Sequence, residues 1–155
     1  MDVDSAMKKI YLDCCSLQRP FDNRSQLRIH VEAEAILAVL SLFESGKVFL
    51  LSSEITEYEI NRIADQDRKF FCLEYLKKMS TRVSLNKEVK DLAKNYSTRS
   101  IDSVDALHLA SANFGEADYF CTCDDKLYKK ASILKLDVMK VVKPLELIEE
   151  IENET

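Results

Sequence analysis

The sequence of 155 residues contains only two glycines, Gly46 and Gly115, and this scarcity excludes two classes of nucleotide-binding site. A dinucleotide-binding turn requires the pattern G-x-G-x-x-G, and a phosphate-binding P-loop requires G-x-x-x-x-G-K-[ST]. Neither pattern can be written with two glycines so far apart in the chain. Both glycines instead follow predicted helix ends, where a left-handed C-terminal cap is favoured.

Long apolar runs are also missing. No stretch approaches the ~20 apolar residues that a bilayer-spanning helix requires. The N-terminal segment MDVDSAMKKIYLD lacks the apolar core of a secretory signal, so we expect a cytoplasmic protein. The length suits one domain, 1–155, in which residues 1–6 could be a loose extension and Met7 an alternative start.

Basic residues are in the minority, because 22 lysines and arginines face 27 acids and the net charge is −5. This balance argues against a broad phosphate-binding surface. The five cysteines are an odd number, and we interpret them as reduced, small apolar residues. Zinc is the alternative for Cys14-Cys15 and Cys121-x-Cys123, but neither pair has the spacing of a structural zinc site.

Short apolar runs alternate with helical patterns along the chain. The runs predict β-strands at 10–12, 48–51, 83–85, 119–122 and 138–142. The helical patterns lie at 25–45, 53–80 (two helices), 86–97, 100–114, 125–135 and 144–152. Continuous apolar runs are typical of strands covered on both faces. We therefore predict an α/β fold of three layers, α/β/α, with a central parallel sheet of about five strands.

Acidic residues lie where open parallel sheets bind ligands, beyond the carboxyl ends of the strands. Asp13 follows the first predicted strand, Asp124 follows the fourth, and Glu59 lies in the helix after the second. Asp105 lies on the apolar stripe of the helix at 100–114, which directs its carboxylate towards the packed side. Two such charges ~4 Å apart repel by about 4 kcal/mol at an effective dielectric of ~20. Oxygen ligands select Mg²⁺ or Mn²⁺, and we expect such a cation among these carboxylates.

Each acid also has a purely structural interpretation. Asp102 and Asp105 could form a capping box at the start of their helix. Asp13 could form an Asx-turn, Asp124 could cap the helix that follows it, and Glu59 could be a solvated helix residue. The joint placement of the acids, rather than any one of them, is the argument for a site.

The segments around these acids resemble the PIN-domain family of metal-dependent ribonucleases, and in particular the VapC-like toxins of type II toxin–antitoxin systems. The resemblance is carried by YLDCCSLQRPFD with Asp13, SEITEYEI with Glu59, SVDALHLASA with Asp105 and TCDDKL with Asp124. It implies an endoribonuclease that hydrolyses RNA, with these four acids as catalytic residues. Asp13, Asp105 and Asp124 would be ligands of Mg²⁺ or Mn²⁺, and Glu59 would bind directly or through water. It also implies a homodimer and a small antitoxin whose tail enters the acidic groove.

Because the chain is acidic, contacts with the RNA backbone are assigned to local cations. Arg19, Arg28, Arg99 and Lys126 flank the acids in sequence, and we expect them to bind phosphates. His108 is interpreted as a packed, hydrogen-bonded histidine rather than as a base or ligand. Two other functions stay open: a catalytically inactive module of the same fold that binds a protein or RNA, and a phosphatase or phospho-receiver domain.

Overall fold

A parallel sheet of five strands runs through the middle of the fold, in the order β3-β2-β1-β4-β5. The strands are β1 (Lys9–Leu12), β2 (Phe49–Ser53), β3 (Thr81–Val83), β4 (Tyr119–Cys121) and β5 (Lys140–Val142). The computed structural model describes residues 7–79, 81–136 and 138–153. The expected extension at residues 1–6 lies outside the described residues.

Helices connect the strands and cover both faces of the sheet. Within the described ranges they are α1 (Cys14–Gln18), α2 (Leu27–Glu44), α3 (Glu54–Asn61), α4 (Gln66–Lys78), α5 (Lys87–Ser97), α6 (Ser103–Phe114), α7 (Asp125–Ser132) and α8 (Pro144–Asn153). Every predicted helix is present, including the two expected between residues 53 and 80. The sequence pattern did not predict the short α1 and the 3₁₀ turn Arg19–Phe21, because both are too brief for a hydrophobic period to reveal. No helix of the described segments is long and apolar enough to cross a bilayer.

Side chains along the central strands point alternately to the two faces of the sheet and pack into two separate cores. In β1, Ile10 and Leu12 pack into one core, while Tyr11 points to the opposite face of the sheet and joins the other. In β4, Phe120 lies in the core of Tyr11, and Tyr119 lies in the core of Ile10. Both faces of the sheet are therefore buried under helices, as the continuous apolar runs predict. The predicted three-layer α/β/α arrangement is confirmed.

Every strand differs from its predicted range by one or two residues at one end or both, and pairing explains the end of the third strand and the start of the fifth. The third strand ends at Val83 rather than at residue 85, because Val83 pairs with Ser53 and β2 ends there. The fifth strand begins at Lys140 rather than at residue 138, because Lys140 pairs with Tyr119, the first residue of β4. A strand in a parallel sheet extends only as far as its neighbour supplies hydrogen-bonding partners.

The strand order reverses beside β1, and this reversal positions the site. The chain passes from β1 outwards to β2 and β3, then returns to place β4 on the other side of β1. Ligands of open α/β sheets bind in the crevice at such a switch point. The helix α6 precedes a parallel strand and runs antiparallel to it, so its N-terminus reaches the same edge of the sheet.

The two glycines serve different purposes. Gly46 follows α2 with φ +73°, as predicted for a left-handed C-terminal cap. The same prediction is wrong for Gly115, whose φ is −76°, while Glu116 takes the left-handed conformation with φ 61°. A Cβ atom at Gly115 would come within 2.9 Å of Val83 Cγ2 and 3.1 Å of Leu51 Cδ1. Gly115 is therefore needed for the close approach of the end of α6 to the sheet.

We expect Gly115→Ala to lower the free energy of unfolding by about 1–3 kcal/mol, because the added methyl group overpacks the core. Chemical denaturation measures this change. In a Val83→Ala background the same substitution should cost less, because the nearest methyl group is removed. A Gly115→Ala protein as stable as the wild type would contradict the packing explanation.

Candidate active site

Asp13 lies directly after β1 and is 4 % exposed. Its backbone N–H donates to Cys121 O at 3.1 Å, which continues the pairing of β1 with β4. Its Oδ1 atom accepts hydrogen bonds from Ser16 N and Cys15 Sγ, each at 3.0 Å, and so caps α1. No described residue donates a hydrogen bond to Oδ2. Asp13 is therefore the N-cap of α1 rather than the residue of an Asx-turn, because its side chain accepts from the N–H three residues further on. One oxygen stays available for a ligand.

Asp124 follows β4 on the neighbouring strand and is exposed. Its Oδ1 atom accepts from Lys126 N at 2.9 Å and Leu127 N at 3.2 Å, so it caps α7 as expected. As at Asp13, Oδ2 receives no hydrogen bond from the described part of the chain. The two caps hold neighbouring carboxylates at the edge where the strand order reverses.

Asp105 lies half-buried in the first turn of α6. Burial, followed by the negative charges of Asp13 and Asp124, raises the pKa of Asp105 to about 6, and His108 offsets only part of this. Asp102 precedes the helix, but its side chain makes no capping hydrogen bond, so it does not explain the position of Asp105. Asp105 is thus an acid held in the negative field of two others.

A small pocket joins these acids to cations. Asp105 and Asp124 line it together with Lys126 and Lys130. Lys130 Nζ also donates to Ser100 O at 2.7 Å. Lys130 was missed in the sequence analysis, although its spacing of four residues from Lys126 puts both on one face of α7. The pocket therefore offers both carboxylate oxygens and ammonium groups to a ligand.

Glu59 lies half-exposed in α3 and is bound to His108 rather than fully solvated. His108 Nε2 donates to Glu59 Oε1. Burial tends to raise the pKa of Glu59, but the hydrogen bond from His108, with a further hydrogen bond from Cys14, holds it below its usual value. The interpretation of His108 as a packed, hydrogen-bonded residue is confirmed, since its side chain is 2 % exposed.

A buried hydroxyl cluster lies behind His108. Tyr11 Oη lies 2.6 Å from His108 Nδ1, 2.7 Å from Ser53 Oγ and 3.1 Å from Thr56 Oγ1. Ser53 and Thr56 come from the junction of β2 and α3, where Ser53 caps the helix. Burial raises the pKa of Tyr11 far above its usual value, so the phenol stays protonated. The network thus connects β1, α3 and α6 beneath Glu59.

Two sets of side chains could hold a cation. Asp13, Asp105 and Asp124 offer only carboxylate oxygens, the donor set that Mg²⁺ and Mn²⁺ prefer. Among the described residues, their oxygens do not all come within 4.8 Å of one another, as expected of carboxylates that repel. These acids fit a hard cation, because a positive charge would offset both the burial of Asp105 and its repulsion by Asp13 and Asp124, which together raise its pKa.

The second set consists of Cys14, Glu59 and His108, whose ligand atoms lie within 4.8 Å of one another. Burial, with the charges of Glu59 and Asp13, raises the pKa of the Cys14 thiol well above its usual value. The thiol therefore stays protonated, and a thiol is a poor metal ligand. Hydrogen bonds already join the other two side chains, so this set is better satisfied without a cation than the three aspartates are.

The cations predicted to bind RNA fall into two groups. Arg19 is largely buried and binds Glu32 at 2.7 Å and Asp22 at 3.0 Å. Arg28 binds Asp125 through two bonds of 2.8 Å and donates to Cys123 O at 3.2 Å. These two arginines hold the fold together beside the site.

Arg99 and Lys126 are both exposed. Lys126 lines the pocket of Asp105 and Asp124, whereas Arg99 lines a separate surface pocket with Asn95, Ile133 and Lys135. Phosphate binding by the four cations stays a prediction, and the structure favours Lys126 most.

The chain resembles known proteins in structure rather than in sequence. No model of a protein family and no curated protein sequence matches the chain. One similar solved structure is VapBC2 from Rickettsia felis bound to a DNA fragment from their promoter, with a TM-score of 0.56 at 12% identity. Another is PAE2754 from Pyrobaculum aerophilum, with a TM-score of 0.55 at 14% identity. The chain has a PIN-like fold.

The PIN-like fold accounts for almost the whole chain. The match to VapBC2 covers 86% of this chain and 98% of the other, and the match to PAE2754 covers 95% and 98%. At these low identities the likeness establishes the fold alone. The resemblance found in the sequence is confirmed at that level, and the chemistry has to be argued from the residues.

We expect Asp105→Asn to stabilise the metal-free protein near pH 7.5 by about 1–2 kcal/mol, a value reduced to allow for solvent screening. The pKa of Asp105 is raised from 3.8 to about 6, so the folded state binds its proton more tightly than the unfolded state does. The wild type therefore loses stability as pH rises from about 4 to 6, and Asn removes this loss.

Chemical denaturation with a chelator present, at pH 4 and pH 7.5, measures this difference. The advantage of Asp105→Asn should be absent at pH 4. Asp91→Asn, on the exposed face of α5, is the matched control and should show no such pH dependence. A difference between Asp105→Asn and wild type that is the same at both pH values would contradict the raised pKa.

Proposed function

We propose that the protein is a metal-dependent endoribonuclease that hydrolyses RNA phosphodiester bonds, and that it acts in the cytoplasm as the toxin of a toxin–antitoxin pair. The observation that supports this best is the half-buried Asp105, whose pKa is raised to about 6 by burial and by Asp13 and Asp124. Carboxylates kept close at a switch point cost free energy unless a cation offsets their charge. The PIN-like fold adds support.

Each acid has a definite part in this proposal. Asp13 and Asp124 would offer Oδ2 to Mg²⁺ or Mn²⁺, because Oδ1 of each is used in capping. Asp105 would add a third carboxylate, and Glu59 would complete the site from α3, directly or through water. The bound cation would supply Lewis-acid chemistry, namely polarisation of a phosphoryl oxygen and activation of water. The caps keep Asp13 and Asp124 oriented, so their carboxylates need no reorganisation when substrate binds.

The RNA backbone would enter over the N-terminal half of α7. Lys126 and Lys130 line the same pocket as Asp105 and Asp124, so a phosphate placed near the acids would lie beside two ammonium groups. These charges counteract the repulsion between RNA and a chain of net charge −5. Local cations of this kind would allow RNA to bind although the net charge of the protein is negative.

We further propose a small antitoxin as partner and a homodimer as the assembled form. VapBC2 from Rickettsia felis, which is similar in structure, is a complex with its antitoxin and promoter DNA, and this supports a partner of the same kind. Light scattering of the purified protein measures its mass in solution, and the mass of a monomer would contradict the dimer.

The second candidate is a catalytically inactive module of the same fold. Glu59 favours it, because this acid is bound to His108 rather than directed only to the other carboxylates. The two candidates differ in metal binding, since an inactive module has no need of a hard cation at Asp13, Asp105 and Asp124. Calorimetric titration with Mn²⁺ therefore distinguishes them.

We expect the wild type to cleave RNA with Mg²⁺ or Mn²⁺ and to lose this activity with a chelator. Asp13→Asn and Asp105→Asn should each lower the cleavage rate by about 100-fold or more, because each removes a charge that holds the cation. Asn still caps helices, so Asp13→Asn should keep the fold, which circular dichroism checks. Asp91→Asn is the control for loss of one surface charge. Full activity in either site variant, or no Mn²⁺ binding by the wild type, would refute the proposal.

The path of the RNA is tested by removing exposed cations. Arg99→Ala combined with Lys126→Ala should weaken RNA binding and flatten its salt dependence, by about 0.7 in the log–log slope for each phosphate that the protein no longer neutralises. Lys47→Ala combined with Lys77→Ala removes the same charge near the amino ends of the strands and should change neither quantity. Equal effects of the two pairs would show that only net charge matters.

A further inference from the structure

We propose that His108 is a positioning residue that holds the Glu59 carboxylate at the candidate active site through the Nε2–H group, with Tyr11 fixing the imidazole from behind. The inference rests on the proposed function, since the ribonuclease site is what gives the position of Glu59 a purpose. His108 would not contact RNA or the cation. It would act through Glu59.

The hydrogen-bonding groups around the imidazole permit a consistent assignment of its protons. An ionised Glu59 carboxylate can only accept, so the contact between His108 Nε2 and Glu59 Oε1 requires a proton on Nε2. In the neutral imidazole Nδ1 is then an acceptor, and the Tyr11 hydroxyl can donate to it across 2.6 Å. The Tyr11 oxygen in turn accepts from the hydroxyl of Ser53 or Thr56, at 2.7 and 3.1 Å. Every group in the chain of bonds has a partner.

The surroundings of His108 hold the imidazole in one orientation. Tyr11 is fully buried, and its ring stacks on Phe120 with centroids 5.5 Å apart. The edge of the same ring faces the His108 imidazole at 5.7 Å. Because both ring nitrogens are bonded and the Tyr11 ring packs against the imidazole, rotation of the imidazole would break both hydrogen bonds.

Core packing alone does not account for this histidine. An apolar residue of similar size would fill the space without the cost of burying two polar nitrogens. Ser111 lies three residues further along α6, and its buried hydroxyl has no hydrogen-bond partner among the described residues. The helix α6 therefore contains one buried polar group without a described hydrogen-bond partner. In His108, by contrast, each ring nitrogen is hydrogen-bonded to a residue of a different element.

A hydrogen bond that orients the Glu59 carboxylate would favour ligand binding. A free glutamate side chain has several rotatable bonds, and fixing it costs up to about 2 kcal/mol of conformational entropy. Glu59 is half-exposed on α3. The His108 hydrogen bond orders the carboxylate before any ligand binds, which lowers the cost of binding. Ligand-supporting hydrogen bonds of this kind commonly change metal affinity by about 10- to 100-fold.

Two amide substitutions test the two ring nitrogens of His108 one at a time. In His108→Gln the amide N–H₂ can reach the place of Nε2 and donate to Glu59. In His108→Asn the shorter amide can reach only the place of Nδ1, near Tyr11. Both variants lose the ring, so both are expected to lower the free energy of unfolding. Ser111→Ala, on the same helix, is the control for a change in a buried polar group without partners.

The measurements are Mn²⁺ affinity by calorimetry, kcat and KM for RNA cleavage, and the free energy of unfolding. We expect His108→Asn to lower Mn²⁺ affinity and kcat by about tenfold or more, while His108→Gln stays within about threefold of wild type. If His108 were merely structural, the two variants would have equal Mn²⁺ affinity, or their Mn²⁺ affinities would follow their free energies of unfolding. Either outcome overturns the inference.

Nuclear magnetic resonance tests the hydrogen bond without reference to activity. The buried Nε2–H of wild-type His108 should give a signal protected from exchange with water. Glu59→Ala should remove it, and Glu57→Ala, which breaks only the surface pair with Arg82, should leave it unchanged. A proton found on Nδ1 alone, or a signal indifferent to Glu59→Ala, overturns the inference. The expected signals in a protein that binds no Mn²⁺ would instead contradict the proposed function and leave the bridge between His108 and Glu59 intact.

Discussion

Repulsion between carboxylates is the constraint on which the candidate site depends. Asp13, Asp105 and Asp124 come from three separate segments, and burial together with mutual repulsion raises the pKa of Asp105 to about 6. The fold tolerates this cost because each acid is held by its backbone position, after a strand or in the first turn of a helix. A bound cation would make the same arrangement favourable, because its charge would offset the burial and repulsion of these carboxylates.

The sheet keeps these acids in place through its two cores. Ile10 and Tyr11 in β1 are both fully buried, although they face opposite sides of the sheet. A strand packed on both faces cannot shift its register without exposing apolar side chains on either side. The end of β1, and with it Asp13, is therefore fixed by packing that lies outside the site. Arg28 in α2 pairs with Asp125 and donates to Cys123 O, which connects α2 to the segment around Asp124. Arg19 connects the 3₁₀ turn to α2 through Glu32.

Much of the fold could be predicted because its signals are local. The apolar runs, the alternation of strands and helices, and the positions of Asp13 and Asp124 after strands are all properties of short segments. The boundaries at Val83 and Lys140 could not be predicted, because they depend on where a neighbouring strand ends. The predicted left-handed conformation of Gly115 was wrong for a similar reason. Glycine is needed there because Val83 and Leu51 lie too close for a Cβ atom, and not because of the local turn.

By itself the sequence determined the fold class, the positions of Asp13 and Asp124 just beyond two strands, and the capping role of Asp124, because each follows from period and position along the chain. Only the tertiary structure decided what lies opposite each polar side chain. It paired Arg19 and Arg28 with acids and joined Glu59 to His108, which are 49 residues apart. Long side chains form hydrogen bonds and ion pairs with residues of other elements. The spacing of residues within one segment carries no information about those partners.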